Sequence, residues 1–145
     1  MPRMKILLAV DGSKPSLDAV KCLIKHADWY SEKPQVELVT VHLPVPKIGH
    51  MRAAVSKSQI ERYYKEEGEQ ALAEAKKQLD RAGISYQRRI LVGPIAETIA
   101  KHAKDARCDL IYIGTRGLTG IAGALLGSTA SKVLHISDVP VLLVK

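Results

Sequence analysis

The chain has 145 residues, 46% of them hydrophobic, with no Phe and one Trp. That is one domain's worth of sequence, 1–145, able to bury a core without disulfides or metals, and the core has to be built from Ile, Leu, Val and Ala. A formal net charge of +7 tolerates anionic partners, but Lys14, Lys21, Lys25, Lys76 and Lys77 are dispersed along helical stretches, which reads as a solvated face and not as a nucleic-acid patch.

Cys22 and Cys108 are the two cysteines, with no CxxC pair and no metal-ligand spacing, so a disulfide framework is excluded and a reducing, cytoplasmic setting is expected. The run Ile6 to Val10 is too short for a signal segment and nothing approaches the length of a membrane span, so a soluble protein without a membrane partner is expected.

Taken in order, Ile6 to Val10 is an unbroken apolar run that ends in Asp11-Gly12-Ser13, as expected of a strand buried on both faces and followed by a turn. Ser13 and Pro15 start a helix whose apolar positions Leu17, Val20, Leu23, Ile24 and Ala27 recur through about residue 28. Val36 to Leu43, bounded by Pro34 and Pro44, reads as the second strand. Proline and glycine from Pro44 to about Ser56 predict a mobile loop. From about Ser58 to Arg81 the positions Ile60, Tyr64, Leu72, Ala75 and Leu79 keep a helical period, ended by Gly83. Ile84 to Val92 alternates with Arg88 and Arg89 inside it, the mark of an edge strand. A helix opened by Gly93 and Pro94 puts Ile95, Ile99, His102 and Ala103 on one face. Leu110 to Ile113 is a second fully apolar strand, Ser128 to Ile136 a last helix and Val139 to Val144 a last strand.

This alternation predicts an α/β domain, an open parallel five-stranded sheet with helices on both faces. The two most apolar strands, first and fourth, belong in the middle and the polar third at an edge, giving the order 3-2-1-4-5. Ligands bind where such an order reverses, beyond the carboxyl ends of the strands. Here those ends carry Asp11-Gly12-Ser13 and Gly114-Thr115-Arg116-Gly117.

The second of these opens a glycine-rich stretch. Gly114 and Gly117 form a GxxG pair, and after nine residues Gly127, Ser128 and Thr129 lead into a helix. Two readings fit: a strand-to-helix turn capped by Ser128, or an anion site at a helix N-terminus. There is no GKS or GKT, and DGSKPS after the first strand is not GxGxxG, so the P-loop and dinucleotide fingerprints are excluded. Lacking a fixed lysine and an evident general base, the loop suits holding a nucleotide more than cleaving one. Asp11 either accepts from a ribose hydroxyl or adenine amine, holds Mg²⁺ through water, or caps the first helix. The five histidines are scattered, and Tyr112 reads as core.

With ILLAVDGS at the start, VTVH in the second strand, GxxG, nine residues, then GS, and a terminal VPVLLV, the whole chain resembles the universal stress protein family. The resemblance implies ATP binding, with Ala9, Val10 and Asp11 on the nucleoside side and Val41 meeting the adenine through its backbone. Ile113, Gly114, Arg116, Gly117, Gly127, Ser128 and Thr129 would line ribose and phosphates. It also implies a regulatory homodimer joined through the last strand, Val139 to Val144, whose apolar edge would otherwise be left unpaired. Leu118, Ile121, Leu125 and Leu126 either join that contact or seat on the domain's own core. The enzyme alternative is a slow ATPase or related nucleotide hydrolase, but DGSKPS lacks the glycine pair that such enzymes use after the first strand. A receiver-type signalling domain is excluded because Val92-Gly93-Pro94 offers no phosphorylatable aspartate.

Overall fold

The computed structural model describes residues 3–45, 56–115 and 126–145. Its elements in chain order are β1 (Lys5–Ala9), α1 (Lys14–His26), a 3-10 turn (Ala27–Trp29), β2 (Gln35–His42), α2 (Lys57–Arg81), β3 (Tyr86–Val92), α3 (Ile95–Asp105), β4 (Leu110–Gly114), α4 (Ser128–Ile136) and β5 (Val141–Val144). The strands form one parallel sheet in the order β3-β2-β1-β4-β5, as the apolar first and fourth strands require. The polar β3 is an outer strand. The sequence's loop from Pro44 to Ser56 falls largely, and Arg116 to Leu125 wholly, outside the described residues.

Alternation of side chains sorts the core into two layers. Ile6, Leu8, Val20, Leu23, Leu38, Leu72 and Leu79 pack between the sheet and α1 and α2. Leu7, Val39, Ile99, Ala103, Ile111, Ile113 and Val133 pack between its other face and α3 and α4. Burying one such side chain stabilises by about 1.5–3 kcal/mol, so a one-residue slip of either central strand would exchange the two layers at large cost. α1 is capped by Ser13, whose side chain accepts from Ser16 N–H, and α2 by a capping box in which Ser56 and Gln59 exchange hydrogen bonds.

Several boundaries shift from the sequence reading by one residue and three by two. β3 starts at Tyr86 because Ile84 N–H turns back to the Leu79 carbonyl to close α2. β5 starts at Val141 because Ser137 Oγ both donates to the Val139 carbonyl, at 2.7 Å, and accepts from Val139 N–H, at 3.0 Å, holding Val139 in a turn. α1 ends at His26 and the chain continues as a tighter turn to Trp29. Among the described residues no helix is long and apolar enough to cross a membrane.

Candidate functional site

The sheet order reverses between β1 and β4, so their following loops leave in opposite directions: toward α1 on one face and α4 on the other. Between them opens the crevice in which α/β proteins of this topology hold ligands. Ala9 and Val10, at the end of β1, are buried in opposite core layers. Their side chains belong to the core, and the chain emerges from it at the exposed Asp11.

The turn after β1 is tied together by hydroxyls. Asp11 Oδ1 accepts from Ser13 N–H at 2.9 Å, and Ser16 Oγ accepts from Asp11 N–H at 3.2 Å while donating to the Ser13 carbonyl at 3.0 Å. Asp11 is thus not the cap of α1: Ser13 is, and Asp11 orders the turn ahead of it. Gly12 has φ +83°, a left-handed conformation that glycine adopts without a Cβ penalty. Ser13 and Ser16 are both buried; Ser13 is the helix start read from the sequence, whereas the role of Ser16 was not drawn from it, although hydroxyls three apart at a helix start are a capping signal.

Gly114 ends β4 against the N-terminal turn of α1. A Cβ there would lie 2.6 Å from the Pro15 carbonyl oxygen, so this glycine is required by the packing of the two loops on each other. Beyond it Thr115 is buried, donates its N–H to the Val144 carbonyl at 2.9 Å and accepts from Gly127 N–H. That bond closes the base of the glycine-rich stretch. Of the sequence-predicted residues, Arg116 and Gly117, with Leu118, Ile121 and Leu125, lie outside the described residues. Leu126 packs on the layer under α3 and α4, so it seats on the domain's own core. Ile113 is buried in the same layer.

Gly127 is the N-cap residue of α4 and has no side-chain capping hydrogen bond, and there is no acid in the first turn. Ser128, a cap in one of the two sequence readings, is instead the first helical residue with an exposed side chain. Among the described residues no side chain caps the first-turn N–H groups of α4, and its own first turn puts no acid at the positive end of its dipole. α3 also lacks a side-chain cap, but its first turn contains Glu97, which pairs with Lys132.

Val41 lies near the end of β2, the neighbour of β1. Val39 accepts from Val10 N–H while His42 accepts from Gly93 N–H, so alternate residues of β2 address β1 and β3. Val41 therefore turns its peptide groups toward β1, beyond Ala9, the last β1 residue in the pairing register.

Two polar clusters each take in one of the scattered histidines. Glu37, 2% exposed in β2, contacts Lys5 at 3.6 Å, Arg89 at 3.1 Å and His102 at 3.1 Å. Burial would raise its carboxyl, but hydrogen bonds from His102 and Arg89 and the charges of Arg89 and Lys5 hold it below the usual value. Tyr112 is fully buried as expected, and its hydroxyl meets both His26 Nδ1 and the Tyr30 hydroxyl at 2.8 Å. Among the described residues no group of three or more His, Cys, Asp or Glu is arranged to hold a metal.

The reversed parallel sheet defines a doubly wound α/β protein, a class in which ligands are held at the switch point beyond the strand ends. The chain belongs to the universal stress protein family, whose model matches residues 2–145. It is similar to universal stress protein MJ0531 of Methanocaldococcus jannaschii, 37% identical over 142 residues, spanning 97% of this chain and 81% of the relative. The solved structure of MJ0577, from the same organism, superposes with a TM-score of 0.79 at 28% identity over 100% of this chain and 97% of that one. A universal stress protein in complex with cAMP superposes with a TM-score of 0.67 at 25% identity, covering 99% and 98%.

Proposed function

We propose that the chain binds an adenine nucleotide, ATP with Mg²⁺ as its companion ion, in the switch-point crevice, and acts as a regulatory homodimer in the cytoplasm by binding and not by turnover. The observation that carries this reading is the N-terminus of α4, uncapped and free of acidic residues, across the switch point from the turn that orders Asp11. A helix start of this kind favours a phosphate. The cAMP complex of a relative with 25% identity supports an adenine nucleotide as the occupant.

In this reading the peptide of Val41 meets the adenine edge. Asp11, with one oxygen engaged by Ser13 N–H, offers the other to a ribose hydroxyl or to hydrated Mg²⁺. Gly114, Arg116, Gly117, Gly127, Ser128 and Thr129 surround the ribose and phosphates, and Ala9, Val10 and Ile113 form the floor. The glycine-rich stretch has no GKS or GKT lysine, and in this reading the free oxygen of Asp11 serves the ligand, so the site suits holding a nucleotide more than cleaving one.

Calorimetric titration of the intact protein with ATP, ADP and AMP is the test. Saturable binding of at least one, lost in Gly117→Val and weakened tenfold or more in Asp11→Ala, is expected. Absence of heat with all three, or an unchanged affinity in Gly117→Val, overturns the reading. Phosphate release that tracks Asp11→Ala would show turnover in place of binding.

A further inference from the structure

Cys22 and His26 stand one turn apart on α1, with Sγ 3.4 Å from Nε2. This spacing puts both side chains on one face of the helix, about 12 Å along α1 from its N-terminal turn at a rise of about 1.5 Å per residue. The imidazole is held from two further directions. Its Nδ1 lies 2.8 Å from the Tyr112 hydroxyl, which lies 2.8 Å from that of Tyr30. Trp29 stacks on the ring with centroids 3.7 Å apart and planes within 15°.

In the Nδ1–H tautomer of His26, Sγ–H donates to Nε2, Nδ1–H donates to the Tyr112 oxygen, and Tyr112 O–H donates to the Tyr30 oxygen; in the Nε2–H tautomer each of these bonds reverses. The tautomer that can take the thiol proton is the first, in which the lone pair of Nε2 is directed at it. A nucleophile beside a base whose other nitrogen is oriented by a third group is the arrangement by which proteins activate a sulfur. Burial raises the Cys22 thiol above its usual value, opposed by the charge of Lys25, so activation here needs proton removal during reaction and not a standing thiolate.

Cys108 provides the contrast within the same chain. It is buried, burial pushes its thiol up to about 11, and no hydrogen-bonding partner of its sulfur is found among the described residues.

We propose that Cys22 is a site of covalent oxidation by a hydroperoxide, with His26 as its general base. As Sγ attacks the nearer peroxide oxygen, Nε2 takes the thiol proton and the O–O bond breaks. The departing oxygen then receives that proton from the imidazolium, leaving a sulfenic acid on Cys22 and, from hydrogen peroxide, one water. Tyr112 and Tyr30 are positioning residues that fix the imidazole. The site is separate from the switch-point crevice and does not depend on a nucleotide.

The test exposes the full-length reduced protein to hydrogen peroxide in the presence of dimedone and follows adduct formation at each cysteine by mass spectrometry. Cys22 is expected to be trapped at least tenfold faster than Cys108, and His26→Gln to slow Cys22 by tenfold or more while leaving Cys108 unchanged. Tyr112→Phe keeps the buried ring and removes the orienting hydroxyl, so it should slow Cys22 several-fold. It also serves as the deciding variant if His26→Gln does not fold. An unchanged Cys22 rate in either folded variant overturns the proposal, since exposure alone would then explain the selectivity.

Discussion

Two single residues separate what this sheet needs for packing from what its crevice needs for binding. Gly114 belongs to a glycine pattern that invites a phosphate reading, yet its missing Cβ is already required by the Pro15 carbonyl. Gly114→Ala should therefore lower stability by about 1–3 kcal/mol, the cost of forcing atoms into a filled space, and urea unfolding without nucleotide measures it. An undiminished midpoint would mean that the two loops part readily. Glu37 is the other case. Its folded carboxyl lies below the usual value, so its contribution is present above about pH 4.3, the unfolded glutamate value, and is lost as pH falls through the lower folded value. Glu37→Gln keeps the shape and should cost about 1–3 kcal/mol near pH 7, a difference that shrinks toward zero as pH falls below about 4. A wild-type-minus-variant difference that stays constant from pH 7 to 3 would remove Glu37 as its source.

At the scale of elements, the turn between β1 and α1 couples stability to the crevice through two serines with different tasks. Ser13 uses its side chain to cap α1 and its peptide N–H to hold Asp11, whereas Ser16 uses its hydroxyl to tie Asp11 N–H to the Ser13 carbonyl. Ser13→Ala should cost about 1 kcal/mol of stability and leave ATP affinity nearly intact, because the peptide group that holds Asp11 remains. Ser16→Ala should weaken ATP binding more than Ser13→Ala does, by calorimetry; the reverse ranking would detach Asp11 from the proposed ligand. Most of the fold was legible because each element declares itself locally: apolar runs for β1 and β4, alternation for the edge strand β3, and helical spacing with recognisable ends for α1 and α2. The crevice followed from strand order alone. What sequence could not supply were contacts between residues far apart in the chain. Glu37 with Lys5, Arg89 and His102, and His26 with Tyr112, are joined only once the sheet and helices have packed. Local pattern also misassigned small details, such as Val139 as strand, where the hydrogen bonds of Ser137 decide between two permitted conformations.

For the whole molecule, β5 is one of the two outer strands of the sheet, with β3 at the other side. Pro140 and Val144 direct their carbonyls into β4, accepting from Ile111 and Thr115 N–H at 2.9 Å each. By alternation Val141 and Leu143 turn their peptide groups outward, where among the described residues no strand pairs with them, a template for a second strand. The proposed homodimer would close this edge by pairing β5 with its copy about a twofold axis. The side chains of Val141, Leu142 and Leu143 are half-buried and pack partly on the protomer's own core, so a charged replacement such as Leu142→Arg would disturb the fold along with the contact. Leu143→Pro is the sharper probe: it removes an outward N–H, and proline is tolerated in an edge strand where its N–H would have faced solvent. Sedimentation should then give a dimer for the parent protein and a monomer for Leu143→Pro, with far-ultraviolet dichroism retained. A folded variant that still sediments as a dimer would place the interface elsewhere, and a parent protein that sediments as a monomer would leave β5 an open edge.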